Sequence, residues 1–112
     1  MFFKRSKGFQ SLKVTEYKSQ FTDAKASHIL VDVRTPAEFK GGHLPGAINI
    51  PLQQFADRVS ELDGDDPVVV VCASGNRSKS ASNILVRSGR KQVYNLSGGT
   101  MAWKMQGFPL RG

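Results

Sequence analysis

A continuous run of β-branched apolar residues, Val68-Val-Val-Val-Cys72, constrains the fold more than any other feature of the chain. An Asp-Asp-Pro turn signal precedes the run, and a loop that contains Gly75 follows it. A strand that is apolar at every position is buried on both faces, which is typical of a parallel sheet covered by helices. The run therefore predicts a central strand of an α/β domain.

Strand-like and helix-like segments alternate along the rest of the chain. Short apolar runs predict three more strands, over residues 29–33, 47–50 and 93–96. Apolar residues at helical spacing predict helices over residues 15–21, 53–62, 78–88 and 99–106. Strands that alternate with helices across short loops predict an α/β domain whose sheet is mainly parallel.

The length of 112 residues is typical of one domain. We assign residues 1–10 to a flexible N-terminal segment and residues 11–112 to a single domain. No run approaches the ~20 apolar residues of a membrane span, and no apolar segment follows the basic start, as it would in a secretory signal. We therefore expect a cytoplasmic protein with no stable membrane insertion.

Sixteen Lys and Arg residues against nine Asp and Glu residues give a net charge of +7. The basic residues are scattered, and no basic face with interleaved aromatic residues is present. This pattern favours a charge that simply keeps the surface solvated; attraction of a small anionic substrate is the second interpretation, and a nucleic-acid partner is the least favoured.

Cys72 is the only cysteine of the chain, so no internal disulfide can form. The small residues after it, Ala73-Ser-Gly-Asn76, allow several backbone N–H groups to converge on the sulfur. The start of the following helix and the cations Arg77 and Lys79 add positive potential. These features predict a stabilised thiolate and hence an activated nucleophile. The alternative is that Cys72 is a small buried apolar residue.

The two histidines offer a different way to activate the thiol, as a Cys–His pair. We interpret His43 as a turn residue that bonds the backbone, because it lies within a Gly-Gly-His-Leu-Pro-Gly sequence. We interpret His28, beside a strand start with polar neighbours, as a surface residue.

Four segments in order resemble the signatures of single-domain rhodaneses, the thiosulfate-type sulfurtransferases. They are Asp32-Val-Arg-Thr-Pro-Ala-Glu-Phe39, Gly42-His-Leu-Pro-Gly-Ala-Ile-Asn-Ile-Pro51, Val71-Cys-Ala-Ser-Gly-Asn-Arg-Ser78 and Gly98-Gly-Thr-Met-Ala-Trp103. The resemblance spans about residues 12–110, and the order and spacing of all four motifs make it specific.

The resemblance implies a five-stranded, mainly parallel sheet with helices on both faces. It implies that sulfane sulfur moves from thiosulfate or a similar anionic donor to a thiol or cyanide acceptor through a persulfide on Cys72. A thioredoxin-like or other protein could supply the acceptor thiol, and no metal or organic cofactor is expected. The implied substrate-binding residues are Ala73, Ser74, Gly75, Asn76, Arg77, Ser78 and Lys79, and the implied structural ion pair is Asp32 with Arg34.

Two other functions remain open at this point. One is a non-catalytic or sulfur-relay interaction module. The other is a cysteine phosphatase or arsenate reductase, since the cell-cycle dual-specificity phosphatases resemble this fold. Those enzymes carry one residue more between the cysteine and the arginine, and we expect the shorter loop here to be too tight for a tetrahedral oxyanion.

Overall fold

The computed structural model describes residues 8–112, which contain a five-stranded sheet in the order β1-β5-β4-β2-β3. All neighbouring strands are parallel. The strands are β1 (Gln10–Lys13), β2 (Ile29–Asp32), β3 (Ile48–Asn49), β4 (Val68–Val71) and β5 (Val93–Ser97). The predicted α/β fold with a five-stranded parallel sheet is confirmed.

Helices cover both faces of this sheet. They are α1 (Val14–Tyr17), continued by a π-helical segment (Lys18–Asp23), α2 (Pro36–Lys40), α3 (Leu52–Arg58), continued by a 3-10 turn (Val59–Glu61), α4 (Asn76–Arg87) and α5 (Gly99–Met105). No helix within residues 8–112 is long and apolar enough to cross a membrane.

The central strand β4 explains the continuous apolar run of the sequence. Val68 and Val70 belong to the core beneath α3 and α4, whereas Val69 and Val71 belong to the core beneath α1 and α5. All four valines are 0% exposed. Because both faces of the strand are covered, neither set of alternating positions can be polar.

Two elements, β1 and α2, were not identified from the residue pattern. β1 is an edge strand with one buried apolar residue, Leu12, so it lacks the apolar run of the central strands. α2 has five residues, too few to show helical periodicity, although Thr35 and Glu38 form a capping box at its start. Residues 1–7 of the predicted flexible segment lie outside the described residues, and β1 begins at Gln10.

A buried ion pair fixes the carboxyl edge of the sheet, where all five parallel strands end. Asp32, the last residue of β2, is 0% exposed, and Arg34 is 6% exposed. The Arg34 guanidinium donates to both carboxylate oxygens of Asp32, at 2.8 to 3.1 Å, and to the carbonyl of Gly42 at 2.8 Å. The pair thus ties the end of β2 to the turn that leads towards β3.

We predict that Arg34→Met lowers the free energy of unfolding by about 3–5 kcal/mol, because it leaves the buried Asp32 carboxylate without its cation. Urea unfolding measures the change. The matched control is Lys18→Met, which removes an exposed ion pair with Asp23 and should have a much smaller effect. Equal losses in the two variants would contradict the role given to the buried pair.

Candidate active site

Cys72 lies immediately after β4 and is 1% exposed. Its Sγ accepts a hydrogen bond from the backbone N–H of Gly75 at 3.1 Å and donates to the hydroxyl of Ser78 at 3.4 Å. The backbone N–H groups of Ser74 and Ser78 also hydrogen-bond the sulfur. Two amides of the loop and one from the first turn of the next helix therefore converge on the thiol, as the sequence predicts.

The start of α5 holds the two carbonyls at the beginning of this loop. The carbonyl of Cys72 accepts hydrogen bonds from the backbone and side chain of Thr100, at 2.9 and 3.2 Å. The carbonyl of Ala73 accepts from the backbone N–H of Met101 at 3.0 Å. The peptide that carries the Ala73 carbonyl also carries the Ser74 N–H, which therefore turns to the opposite side, where Sγ lies.

Gly99 allows this close approach of α5 to the loop. A Cβ at this position would stand 2.3 Å from the carbonyl oxygen of Cys72 and 2.6 Å from that of Ala73, and its φ of +58° lies in the left-handed region. Real side chains do not tolerate such distances. Gly99 of the fourth sequence motif is therefore a requirement of loop packing.

The loop ends in the first turn of α4, which begins at Asn76 after Gly75 in a left-handed conformation, with φ of 106°. No side chain caps this helix start. The first-turn N–H groups of an α-helix have no intrahelical partner, and together with the helix dipole they favour an anion. The structure thus places an uncapped helix N-terminus beside Sγ.

The environment of the Cys72 thiol acts on its pKa in two opposing directions. Burial raises the pKa, because it disfavours the charged form. Hydrogen bonds from the Ser78 hydroxyl and from the N–H groups of Ser78, Gly75 and Ser74 lower it, and together they prevail. The pKa of Cys72 therefore lies below that of an ordinary thiol, and the thiolate is favoured.

Arg77 joins the loop to α2. Its guanidinium donates to both carboxylate oxygens of Glu38, at 2.8 and 3.0 Å, and both side chains are partly exposed. From the sequence we expected Arg77 to add positive potential at the sulfur, but the Glu38 carboxylate, which belongs to the capping box of α2, neutralises much of its charge. Glu38 was missed by the sequence analysis, although the Thr-x-x-Glu spacing of its capping box signals a helix start.

A model of the rhodanese-like domain family matches residues 13–106. The chain belongs to this family. A sulfurtransferase of Allochromatium vinosum is 43% identical over 82 residues, covering 73% of this chain and 77% of that protein. The thiosulfate sulfurtransferase GlpE of Pseudomonas syringae is 42% identical over 76 residues, covering 68% of this chain and 72% of that protein.

Solved structures show the same fold. A rhodanese-related protein from Thermoplasma volcanium superposes with a TM-score of 0.80 at 30% identity, covering 92% of this chain and 98% of that chain. The rhodanese-like domain of an Anabaena protein superposes with a TM-score of 0.83 at 29% identity, covering 91% of this chain and 78% of that chain.

The other loop residues of this rhodanese-like domain differ in exposure. Ala73 is half-buried, whereas Ser74, Asn76 and Lys79 are exposed, and Ser78 is buried beneath the sulfur. Within residues 8–112, Lys79 forms no ion pair. Three of the seven predicted substrate-binding residues, Ser74, Gly75 and Ser78, therefore hydrogen-bond Sγ, whereas Lys79 is exposed on α4, and their role in substrate binding stays a prediction.

Neither histidine of the rhodanese-like domain hydrogen-bonds Cys72. His43 Nδ1 lies 2.8 Å from the Phe39 carbonyl and its ring stacks on Phe39, as expected for a turn residue. The surface assignment of His28 was wrong. Its ring is half-buried and lies 2.8 Å from both the Tyr17 hydroxyl and the Ala26 carbonyl.

We predict a pH-dependent contribution of Glu38 to stability. Hydrogen bonds from Arg77 hold the pKa of Glu38 at about 2, below its ordinary 4.5. A depressed pKa in the folded state stabilises the fold above the ordinary pKa, and the contribution is lost as pH falls from about 4.5 towards 2. Glu38→Gln should therefore be less stable than the native protein at pH ~6, and the difference should narrow steadily below pH ~4.5.

Urea unfolding at a series of pH values measures this difference. Glu61→Gln is the matched comparison: Glu61 also pairs with an arginine, but that arginine lies three residues away, so the pair joins no separate helices and its loss should change stability less. A difference between Glu38→Gln and the native protein that stays constant with pH would show that the carboxylate charge is not its cause.

Proposed function

We propose that this rhodanese-like domain is a sulfurtransferase that uses Cys72 as its nucleophile. One observation carries the proposal: two loop amides, those of Ser74 and Gly75, and the Ser78 amide in the first turn of α4 converge on the only thiol of the chain. Such donors stabilise an anionic sulfur without a proton-transfer partner. The names of the sulfurtransferase relatives support the same reaction class.

The first half-reaction transfers one sulfur atom from the donor to the enzyme. The Cys72 thiolate attacks the outer sulfur of thiosulfate and forms a new S–S bond. The bond between the two thiosulfate sulfurs breaks, and its electron pair leaves with sulfite. The negative charge of the attacking thiolate ends on the outer persulfide sulfur, so charge and atoms balance without an added oxidant, metal or organic cofactor.

The loop offers sites for that outer sulfur. The N–H groups of Asn76 and Arg77 belong to the uncapped first turn of α4, next to the amides that already bond Sγ. Anions are stabilised at such helix starts. We assign these groups, with the amides of residues 73–75 and 78, to the persulfide.

The second half-reaction needs an external acceptor, because the chain has no second cysteine. A thiolate or cyanide attacks the outer sulfur, the persulfide bond breaks, and its electron pair returns to Cys72 as thiolate. The product is an acceptor persulfide or thiocyanate, and the kinetics are ping-pong. An acceptor thiol on a thioredoxin-like protein fits this step. The cytoplasmic location of the rhodanese-like domain itself stays a prediction.

The tightness of the loop favours sulfur over phosphoryl or arsenate chemistry. Four residues separate Cys72 from Arg77, and the Gly75 amide already lies 3.1 Å from Sγ. A tetrahedral oxyanion bound above Sγ needs wider spacing between the amides than a single sulfur atom. In addition, the Arg77 guanidinium already donates to both carboxylate oxygens of Glu38, whereas in a phosphatase the arginine would bind the oxyanion.

We predict that incubation with thiosulfate adds the mass of one sulfur atom to the protein, and that Cys72→Ser gains none. Intact-mass spectrometry before and after cyanide treatment measures both half-reactions, since cyanide should remove the added sulfur. If no sulfur adds but an aryl phosphate is hydrolysed in a Cys72-dependent way, the phosphatase function is correct. Inertness in both assays would leave the interaction module as the function.

We also predict that Arg77→Ala slows sulfur loading about tenfold, the worth of one lost charge-assisted interaction, while the circular dichroism spectrum stays unchanged. Lys79→Ala is the matched control, because this exposed lysine makes no ion pair within residues 8–112, and the loading rate of this variant should change less.

Glu38→Gln distinguishes two roles of Arg77, its position at the end of the loop and its positive charge. If the position matters, Glu38→Gln should also slow loading; if only the charge matters, loading should be unchanged or faster. Near-native loading by Arg77→Ala would contradict both roles.

A further inference from the structure

A buried polar pair lies directly behind the thiol. Ser78, on α4, is 0% exposed, and Asn95, on β5, is 1% exposed. The Ser78 hydroxyl donates to Asn95 Oδ1 in a short hydrogen bond, and the same hydroxyl lies 3.4 Å from Cys72 Sγ. A buried amide inside an apolar core is costly unless its hydrogen bonds are used, so the function of Asn95 requires an explanation.

The fold fixes the orientation of the Asn95 side chain. In the sheet register Asn95 pairs with Val70, a position of β4 that faces α4. Its Nδ2 donates to the carbonyl of Gly75 at 3.4 Å. A flipped amide would place Oδ1 against that carbonyl oxygen, so Oδ1 faces Ser78 and can only accept from it.

Ser78 carries one hydroxyl proton and has two neighbours that compete for it. While Cys72 is protonated, its S–H donates to Ser78 and the Ser78 proton rests on Asn95 Oδ1. When Cys72 is a thiolate, its sulfur has no proton to donate to Ser78 and can instead accept the Ser78 proton. Because a charged acceptor forms the stronger hydrogen bond, the Ser78 proton then turns to the sulfur and leaves Asn95 Oδ1 unpaired.

We propose that Asn95 is a positioning residue that competes with Cys72 Sγ for the Ser78 proton and so disfavours the thiolate relative to the thiol and the persulfide. Its effect on sulfur loading rests on the proposed function, whereas the hydrogen-bond exchange itself does not. Once Sγ is bonded to a second sulfur it carries no charge, and the Ser78 proton returns to Asn95. The thiolate is thus the state in which the Ser78–Asn95 hydrogen bond is broken, and this cost offsets part of the stabilisation by the loop amides and keeps the sulfur nucleophilic.

The charged groups around Cys72 are the same in each of these states. Arg77 of the loop is paired with Glu38 of α2, and Arg34 is paired with Asp32 at the end of β2. From α5, the first turn presents Thr100, which bonds the Cys72 carbonyl. Neither Ser78 nor Asn95 touches these ion pairs, so a substitution at Asn95 leaves them in place. The substitution also removes the donor to the Gly75 carbonyl, an effect that the Ser78→Ala background separates from the proton competition.

The test compares Asn95→Leu, which has a similar shape and no acceptor, with Asn83→Leu, the same change at an exposed position of α4. The rate of alkylation by iodoacetamide is measured against pH. In Asn95→Leu the midpoint of the alkylation rate should move to lower pH. Below the native midpoint the rate should be roughly three- to tenfold faster, which corresponds to the free energy of one hydrogen bond. The control should match the native protein.

Sulfur loading from thiosulfate should show a crossover between Asn95→Leu and the native protein. Below the native midpoint Asn95→Leu should load faster, because more thiolate is present. Well above both midpoints it should load about two- to threefold more slowly, because a better stabilised thiolate is a weaker nucleophile. Damage to the fold would slow loading at every pH, so a uniform loss, or an unchanged alkylation midpoint, overturns the proposal.

A double variant shows whether Asn95 acts through Ser78. In a Ser78→Ala background, Asn95→Leu should leave the alkylation midpoint where Ser78→Ala alone places it. The same shift in both backgrounds would contradict the proposal. These alkylation tests stand even if the native protein takes no sulfur from thiosulfate, a result that would contradict the proposed function alone.

A measurement on the native protein covers the case in which Asn95→Leu fails to fold. With ¹³C-labelled asparagine, the NMR signal of the Asn95 side-chain carbonyl should move with the alkylation midpoint of Cys72. The movement should shrink in Ser78→Ala. A carbonyl signal that is independent of pH across that midpoint would show that Asn95 keeps the proton throughout, and would overturn the proposal.

Discussion

The structure of this rhodanese-like domain depends on the hydrogen bonds that hold the carbonyls of Cys72 and Ala73 on the first turn of α5. A peptide group presents its carbonyl and its N–H on opposite sides, so anchoring the Ala73 carbonyl turns the Ser74 amide, one of the donors to the sulfur, towards Sγ. The same contact requires a glycine at position 99, where a Cβ would collide with the Cys72 carbonyl. The reactive loop is therefore shaped from behind by a helix that does not contain the cysteine.

Two ion pairs hold the elements around that loop, and they differ in kind. The pair of Asp32 with Arg34 is buried and fixes the end of β2 next to β4. The pair of Arg77 with Glu38 is partly exposed and joins the helix after the loop to the cap of α2. Because the sheet is parallel, both pairs meet at its carboxyl edge, which is where open α/β sheets bind ligands. A small chain thus builds its site from loops that several strands bring to one edge.

Several parts of the fold and site were predictable from local pattern. Buried strands show as apolar runs, and the small residues after Cys72 indicate a loop whose amides can converge. Weak local signals account for what was missed. The edge strand β1 buries one apolar side chain, and α2 is shorter than two helical turns. His28 has polar neighbours in sequence, yet the packing of Tyr17 and Phe21 around its ring half-buries it.

The sequence by itself determined that the chain forms a parallel sheet and that its single thiol follows the most buried strand, because burial and backbone restriction are encoded over a few neighbouring residues. Only the tertiary structure decided which groups face that thiol. Glu38 lies 39 positions from Arg77, Thr100 lies 28 from Cys72, and Asn95 lies 17 from Ser78. No local pattern encodes such pairs, since they come into contact only when the sheet register and the packing of the helices set β5, α4 and α5 beside the end of β4.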